Sequence, residues 1–176
     1  MRRFLLTASL ALVLTPLLAV APGGRASAQT QAAPSAGGDN FNLSSVDALL
    51  AKGDREAASG NLSEAVKSYD KARNASRSLL SFYRDLGGAF RGLDARIPRD
   101  MDQKGRESIE KLAQANLRLA AVYRRQNQSE VAVPLLVEVV KLMTPSTGEG
   151  RKAYQQLVEI GFVSTPYTAP ASPTSN

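Results

Sequence analysis

The chain has 176 residues, with 22 lysines and arginines against 16 aspartates and glutamates, and it contains no cysteine, histidine or tryptophan. The lack of cysteine excludes disulfides, thiolate nucleophiles and cysteine-ligated metals, and the lack of histidine removes the commonest general base and metal ligand. We therefore predict a protein that is not an enzyme and needs no cofactor and no metal. Three basic residues lie in the first 28 positions, so the rest holds 19 basic and 16 acidic residues. This near-neutral balance predicts no nucleic-acid partner.

Residues 1–28 have the three parts of a secretory signal peptide. Two arginines lie near the start, residues 4–21 are almost wholly apolar, and residues 26–28 read Ala-Ser-Ala, a small-x-small cleavage pattern. We predict cleavage between Ala28 and Gln29 and export across the inner membrane, which would leave a soluble protein in the periplasm or another extracytoplasmic lumen. Retention of the apolar run as an uncleaved anchor is the alternative, because about 18 apolar residues approach the length that spans a bilayer.

Composition divides the rest of the chain into three segments. Residues 29–42 are small, polar and rich in helix breakers, which is typical of a flexible linker. Residues 163–176 carry prolines among serines and threonines and are predicted to be a disordered tail. The ordered domain is therefore expected over 43–162, a length that can bury one core or form a short stack of helical repeats.

The clearest pattern is an apolar period of 3.5 residues, which predicts one long helix over 62–97. Pro98 is expected to stop this helix. Gly87 and Gly88 lie inside it, where two adjacent glycines either kink a helix or let another backbone approach. We call the periodic residues the apolar stripe: Ala65, Tyr69, Ala72, Ser76, Leu79, Tyr83, Leu86, Phe90, Leu93 and Ile97.

Two predicted helices flank the long one along the chain. The first starts at Ser44 or Ser45, because Ser44 and Asp47 have the spacing of a capping box. The next starts from a cap at Asp100 and reaches about Gln126, with an apolar side built mainly from leucine and alanine.

Two more helices complete the prediction. A helix over 129–143 is apolar at nine of the ten positions 131–140, and its valines would also suit a strand. The string Asn-x-Ser-Glu at 127–130 repeats that at 61–64, and we interpret both as helix caps, which favours the helix. A last helix over 148–160 is expected to be capped by Ser146. The pattern as a whole predicts an all-α fold.

Small and aromatic residues at fixed offsets in these helices resemble the tetratricopeptide repeat (TPR). The first unit matches at Gly53, Gly60, Ala65, Tyr69 and Ala72. The second unit matches at Leu119, Ala120, Tyr123, Ala132 and Leu136, with Asn127 at the position of the turn glycine. Lys52 and Glu56 depart from the pattern, since the repeat has apolar and aromatic residues there. As a whole, the chain resembles uncharacterised exported TPR-like proteins of bacteria.

The resemblance implies an architecture and a role. The architecture is two TPR-like helix–turn–helix units with an elongated central helical hairpin and a C-terminal capping helix. Helical repeats bind peptides and protein surfaces and rarely do chemistry. We therefore predict an exported, non-enzymatic scaffold that binds a protein partner through the groove of the repeats or through a basic surface.

That basic surface is predicted from charge. Residues 71–125 hold 13 lysines and arginines against six acidic residues, and we call this segment the Arg-rich arm. Arginine suits bidentate contact with carboxylates or phosphates, so we expect an acidic protein segment as partner. An envelope-structural protein, or one that associates with an anionic membrane surface, is the alternative. The candidate partner-binding residues are Arg84, Arg91, Arg96, Arg99, Arg106 and Phe90.

The end of the predicted hairpin also indicates a partner. The shorter helices cannot reach its apolar residues Phe90 and Leu93, which lie some 20 Å further out at 1.5 Å per residue. These residues are covered by a second copy of the chain, by another partner, or by the hairpin itself. We therefore predict a homodimer through the helical hairpin or a partner docked at its tip.

Two short strings imitate functional motifs. Ser68 and Lys71 have the spacing of the nucleophile motif of penicillin-recognising enzymes, but its companion motifs are missing. Asp100 and Asp102 begin a string like a calcium loop, but Lys111 stands where a bidentate glutamate belongs. We predict a helix surface for the first string and a helix cap for the second.

Overall fold

A computed structural model of the chain describes residues 41–168. These residues form five α-helices and no β-strand, so the predicted all-α class is confirmed. The predicted signal peptide over 1–28, its cleavage site at Ala28 and Gln29, and most of the predicted linker lie outside the described residues. The helices are α1 Leu43–Ala58, α2 Leu62–Ala89, α3 Arg96–Arg125, α4 Ser129–Met143 and α5 Gly148–Glu159.

Consecutive helices pack against each other, and the α2–α3 contact is the most extensive. Gly53 of α1 lies against Tyr69 of α2, where any added Cβ would collide with the tyrosine ring. Phe41, just before α1, packs edge-on against Phe82 with ring centroids 5.3 Å apart. These two contacts make α1 and α2 antiparallel, and α1 begins near Phe82, about two turns before α2 ends at Ala89.

The core lies where all five helices meet. It combines small residues such as Ala72 and Ala120 with larger ones such as Leu119 and Leu136, all completely buried. Small residues on one helix let the large residues of its neighbour approach closely. The apolar stripe is buried as predicted from Ala65 through Leu79.

The long helix predicted over 62–97 is wrong at its end. Helix α2 stops at Ala89, and Gly92 turns the chain with φ +83° before α3 starts at Arg96. Pro98 therefore lies in the first turn of α3, where a missing backbone N–H costs nothing, and does not terminate α2. Asp94 supports this start by accepting the backbone N–H of Arg96 at 2.9 Å.

Several predicted caps are also wrong. Asn42 caps α1 by accepting the backbone N–H of Ser45 at 2.9 Å, so the helix begins at Leu43, one position before the predicted Ser44. Asp100 lies inside α3, where its carboxylate pairs with Lys104 at 3.0 Å. Thr147, not Ser146, caps α5. In α1 and α5 the capping oxygen belongs to the side chain three residues before a free backbone N–H, whereas α3 has no side-chain cap bond.

The two Asn-x-Ser-Glu strings do not cap helices through their asparagines either. Asn61 precedes α2 without a side-chain cap bond, and Gln128 holds the equivalent position before α4. Asn127 instead has φ +58°, which matches the left-handed Gly60 at φ +83°. The two inter-helix turns are therefore equivalent in backbone geometry, with asparagine replacing glycine in the second.

Beyond Leu79 only α2 and α3 continue, and we call residues 80–108 the distal hairpin. Gly87 lies so close to α3 that a Cβ there would be 3.1 Å from Cβ of Met101, and Gly105 faces Leu80. The close approach allowed by Gly87 is thus the one of its two predicted roles that the structure shows. The apolar stripe leaves the interior here, since Leu86 is 46% exposed and Leu93 78% exposed.

The predicted tail begins with residues that contact α5. The Tyr154 hydroxyl donates to the carbonyl oxygen of Thr165 at 2.9 Å, and the rings of Tyr154 and Tyr167 lie 6.3 Å apart. Residues 163–168 have no regular secondary structure. Among the helices described, none combines the length and apolar character needed to cross a membrane.

Candidate functional site

Three basic side chains of α3, seven residues apart, reach across to α1. Lys111 Nζ lies 2.5 Å from Asp47 Oδ1, and Arg118 Nε donates to Asp54 Oδ1 at 2.9 Å. Arg125 donates to a backbone carbonyl oxygen near the end of α1 at 3.1 Å. Because both ion pairs join residues 64 positions apart, α1 and α3 run parallel and side by side. They form part of one face, which α5 continues.

Two hydroxyl groups of α2 donate hydrogen bonds to carboxylates of α1 on this face. Tyr69 donates to Asp54 Oδ1 at 2.7 Å, the same oxygen that accepts from Arg118. Burial and this hydrogen bond raise the pKa of Tyr69, so its hydroxyl remains a donor at any physiological pH. Ser68 donates to Glu56 at 2.5 Å, which gives the acidic departure from the repeat pattern a structural partner. The Ser-x-x-Lys string thus belongs to a helix contact.

An open cleft of about 550 Å³ lies between α3 and α5 on the same face. Arg118 and Lys152 bring positive charge to it and Glu149 brings negative charge. Lys152 has no acidic side chain within 4.0 Å among residues 41–168, so its charge is available to a ligand. The lining residues are Gln114, Leu117, Arg118 and Ala121 of α3 with Gly148, Glu149, Lys152 and Gln156 of α5.

A charged cluster links α2, α3 and α4 through ion pairs and hydrogen bonds. Glu138 accepts from Arg77 at 2.5 Å, from Arg73 at 3.0 Å and from the Asn116 amide at 3.1 Å. Burial opposes ionisation of Glu138, but the hydrogen bonds from the two arginines outweigh it and lower the pKa of this carboxyl below its usual value. The cluster therefore holds an ionised carboxylate between two permanent cations.

Glu138 was not among the functional residues predicted from the sequence. Its signal was present, because Glu138 is the one charged residue in the apolar run 131–140. A charge inside an otherwise apolar helix is costly unless a partner neutralises it. The surplus of arginine on the long helices supplies that partner.

The candidate partner-binding residues lie apart from the cleft, in the distal hairpin. Arg84 is on α2, while Phe90 and Arg91 are in the connecting turn. Arg96, Arg99 and Arg106 follow on α3. Phe90 is half-buried, and the five arginines are exposed. The structure thus brings these residues to one end of the α2–α3 hairpin and not to the face of α1, α3 and α5.

The arginines of the Arg-rich arm fall into two groups. Four of those near the core are paired with acids: Arg73 and Arg77 with Glu138, Arg118 with Asp54, and Arg124 with Glu159. Arg125 donates instead to the backbone carbonyl oxygen of Ala57. In the distal hairpin, Arg96 pairs with Asp94, and Arg106 donates to Gln103 at 2.9 Å. Arg84, Arg91 and Arg99 have no acidic partner within 4.0 Å in the described part of the chain.

Comparison with known proteins does not assign the chain to a family. A search of protein-family models finds no match to the chain, and a search of curated proteins finds none either. The assignment of a function therefore depends on the faces and side chains described above.

Proposed function

We propose that the protein is an exported, non-enzymatic interaction module that binds an acidic segment of a protein partner in the α3–α5 cleft. The observation that carries this proposal is the unpaired ammonium group of Lys152 in an open cleft of about 550 Å³. A groove between parallel helices offers an extended segment both side-chain charge and amide hydrogen bonds. The TPR-like pattern of Gly53, Gly60 and Tyr69 supports the same role.

The cleft has the chemistry that such a segment requires. Gln156 accepts a hydrogen bond from Arg124 at 3.2 Å, which orients its amide. Gln114 lies opposite on α3, so amide groups flank the cleft on both sides. Arg118 is held by Asp54 and also lines the cleft. Lys152 is the group that a carboxylate of the partner would pair with.

Capture experiments on three variants test the cleft. We expect Lys152→Glu to lose an acidic partner captured from native envelope extract, because the new carboxylate repels the partner's charge. The matched control is Lys141→Glu, an exposed charge reversal on α4 outside the cleft, which should keep it. A triple reversal of Arg91, Arg96 and Arg99 separates the cleft from the Arg-rich arm. Loss of the partner in this triple variant alone would move the site to the arm.

Export is tested by the mass of the protein. Expressed from its full coding sequence in a bacterial host, the protein should be recovered outside the cytoplasm without its first 28 residues. Substitution of Ala26 and Ala28 by Leu should block cleavage, because signal peptidases require small residues at these positions. Recovery of the full-length chain in the cytoplasm would contradict this part of the proposal.

Association with an anionic membrane surface is the second candidate, and the end of the hairpin favours it. Leu93 is 78% exposed beside Arg91, and Arg99 is also unpaired. An apolar side chain next to cations can enter the headgroup region while the cations contact phosphates. We would then expect flotation with anionic vesicles at low salt, loss of flotation at high salt, and loss in the triple arginine variant.

A further inference from the structure

The α3–α5 cleft contains a glutamine whose side chain is held by an arginine of the opposite helix. Gln156 lines the cleft and is only 9% exposed. Its Oε1 accepts a hydrogen bond from Nη1 of Arg124 at 3.2 Å. The same arginine donates through Nη2 to Glu159 Oε2 at 3.1 Å, so its guanidinium is held at two points on α5. The amide of Gln156 therefore has a defined position in the wall of the cleft.

The chemistry of arginine determines which end of this amide is left for a ligand. A guanidinium carries only hydrogen-bond donors, so it can hold the oxygen of a glutamine amide but not its nitrogen. The oxygen of Gln156 is therefore occupied by Arg124. Its Nε2 has no acceptor among residues 41–168, and it is not among the unpaired side-chain atoms that are sealed from solvent. Two N–H donors of Gln156 thus remain available in the cleft.

The cationic side chains of the cleft are donors as well. Lys152 lies four residues before Gln156 on α5, so the two side chains leave the same helix face one turn apart. Arg118 donates to Asp54 through Nε, and its Nη2 has no acceptor within the described part of the chain. The one carboxylate of the lining, Glu149, lies one turn before Lys152, on the side away from Gln156. Donors therefore predominate around Lys152 and Gln156.

We infer that Gln156 is a specificity-determining residue of the cleft and that Arg124 is the positioning residue that makes it a donor. The inference rests on the proposed function, because it concerns the same cleft and the same acidic segment. Lys152 pairs with a carboxylate of that segment, and Gln156 donates to a second oxygen of the segment about 6 Å further along α5. Every second residue of an extended chain is about 7 Å away, so one segment can contact both groups. A ligand that presents an N–H at this point meets the donors of Gln156 and is disfavoured.

Binding of a fluorescein-labelled hexaglutamate peptide, measured by fluorescence anisotropy at about 0.15 M salt, tests the role of Gln156. Gln156→Glu keeps an oxygen for Arg124 but replaces the two donors by a second oxygen. We expect this variant to bind the peptide at least about tenfold more weakly. The matched control is Gln155→Glu, which adds the same charge at an exposed position of α5 outside the cleft lining. It should weaken binding by less than about threefold, because solvent and salt screen an exposed charge.

Variants of Arg124 test the positioning role. Arg124→Leu releases the oxygen of Gln156, so the amide can turn either way, and we expect binding about fivefold weaker. Arg124→Lys keeps a donor for that oxygen and should restore most of the affinity. Arg125→Leu removes the same charge from a neighbouring residue that donates to a backbone carbonyl of α1 and not to Gln156. This control should lose clearly less affinity than Arg124→Leu.

A direct readout on the unaltered protein needs no variant. The side-chain N–H signals of Gln156 in a ¹⁵N–¹H correlation spectrum should shift when unlabelled hexaglutamate is added, because these protons donate to the peptide. Signals that stay in place while the peptide binds would overturn the inference.

The variants separate failure of this inference from failure of the proposed function. If Lys152→Glu abolishes peptide binding while Gln156→Glu binds like the Gln155→Glu control, the inference is wrong and the proposed function stands. Equal losses in Arg124→Leu and Arg125→Leu would remove the positioning role in the same way. If the unaltered protein does not bind the peptide, or Lys152→Glu binds it equally well, the proposed function fails and the inference fails with it.

Discussion

The apolar stripe runs through both the proximal and the distal half of α2, but the two halves have different environments. In the proximal half, several cations pair with an acid of a neighbouring helix, as Arg77 pairs with Glu138 and Arg118 with Asp54. In the distal half, Arg84 continues the same side of α2, but α4 carries no acid beyond Glu138 to meet it. Likewise Leu79 is buried while Leu86, seven residues later, is half exposed. Whether a face of α2 is buried or paired thus depends on how far the neighbouring helices extend, and not on the spacing of its own residues.

The largest expected loss of stability comes from truncating a buried side chain in the proximal core. Leu119 is completely buried, so Leu119→Ala should lower the free energy of unfolding by about 3 kcal/mol. Leu93→Ala, the same change in the distal hairpin, should alter it by less than about 0.5 kcal/mol, because Leu93 is already in solvent. Urea denaturation followed by circular dichroism measures both. Equal losses would show that the two halves are one cooperative core.

The next largest loss of stability is expected from the charged cluster around Glu138. Glu138→Gln should cost about 2 kcal/mol at pH 7, because two arginines lose a charged hydrogen-bond acceptor. Glu110→Gln serves as control, since Glu110 is exposed and has no ion pair within the described residues. A loss as small as that of the control would mean that the cluster adds nothing to stability.

The pH dependence of stability gives an independent measure of the same cluster. The folded pKa of Glu138 is lowered, so its stabilisation is complete above the pKa of the unfolded chain and is lost as pH falls through the folded pKa. We expect the difference in unfolding free energy between the unaltered protein and Glu138→Gln to shrink below about pH 4. Urea midpoints at pH 7, 5, 4 and 3 would show this. A difference that stays constant down to pH 3 would contradict it.

The smallest expected changes in stability are those at two neighbouring glycines of the distal hairpin, and they differ in sign. Gly87→Ala should destabilise by about 1 kcal/mol, because the new Cβ crowds Met101 across the hairpin. Gly88→Ala meets nothing within 4 Å and should stabilise by about 0.5 kcal/mol through helix propensity. Thermal unfolding of the two variants should therefore shift in opposite directions. Shifts in the same direction would mean that α2 and α3 are further apart at the tip.

The sequence was sufficient for the helices themselves. Periodicity and turn residues predicted all five, including the bounds of α4, because local patterns encode helices that bury one side. The end of α2 was not predictable in this way, since Pro98 is compatible both with stopping one helix and with starting another. The contact of Gly53 with Tyr69 was not predicted, although both residues match the repeat pattern.

Contacts between distant residues were the part that the sequence could not supply. The net charge of residues 71–125 predicted a basic surface, but pairing of Arg73 and Arg77 with Glu138 depends on how α4 returns along α2. The same holds for Arg118 and Asp54, which lie 64 positions apart. The cleft could not be predicted either, because Lys152 comes to line it only when α5 packs beside α3.

The segment after α5 has a consequence for how this architecture can grow. Tyr154 binds the backbone of Thr165 and its ring contacts Tyr167, so the outer surface of α5 is closed by the chain itself. A duplicated hairpin inserted after α5 would have to displace this segment before it could pack against α5. A further helix on this side of α5 would therefore need the contacts of Tyr154 with Thr165 and Tyr167 to be broken first.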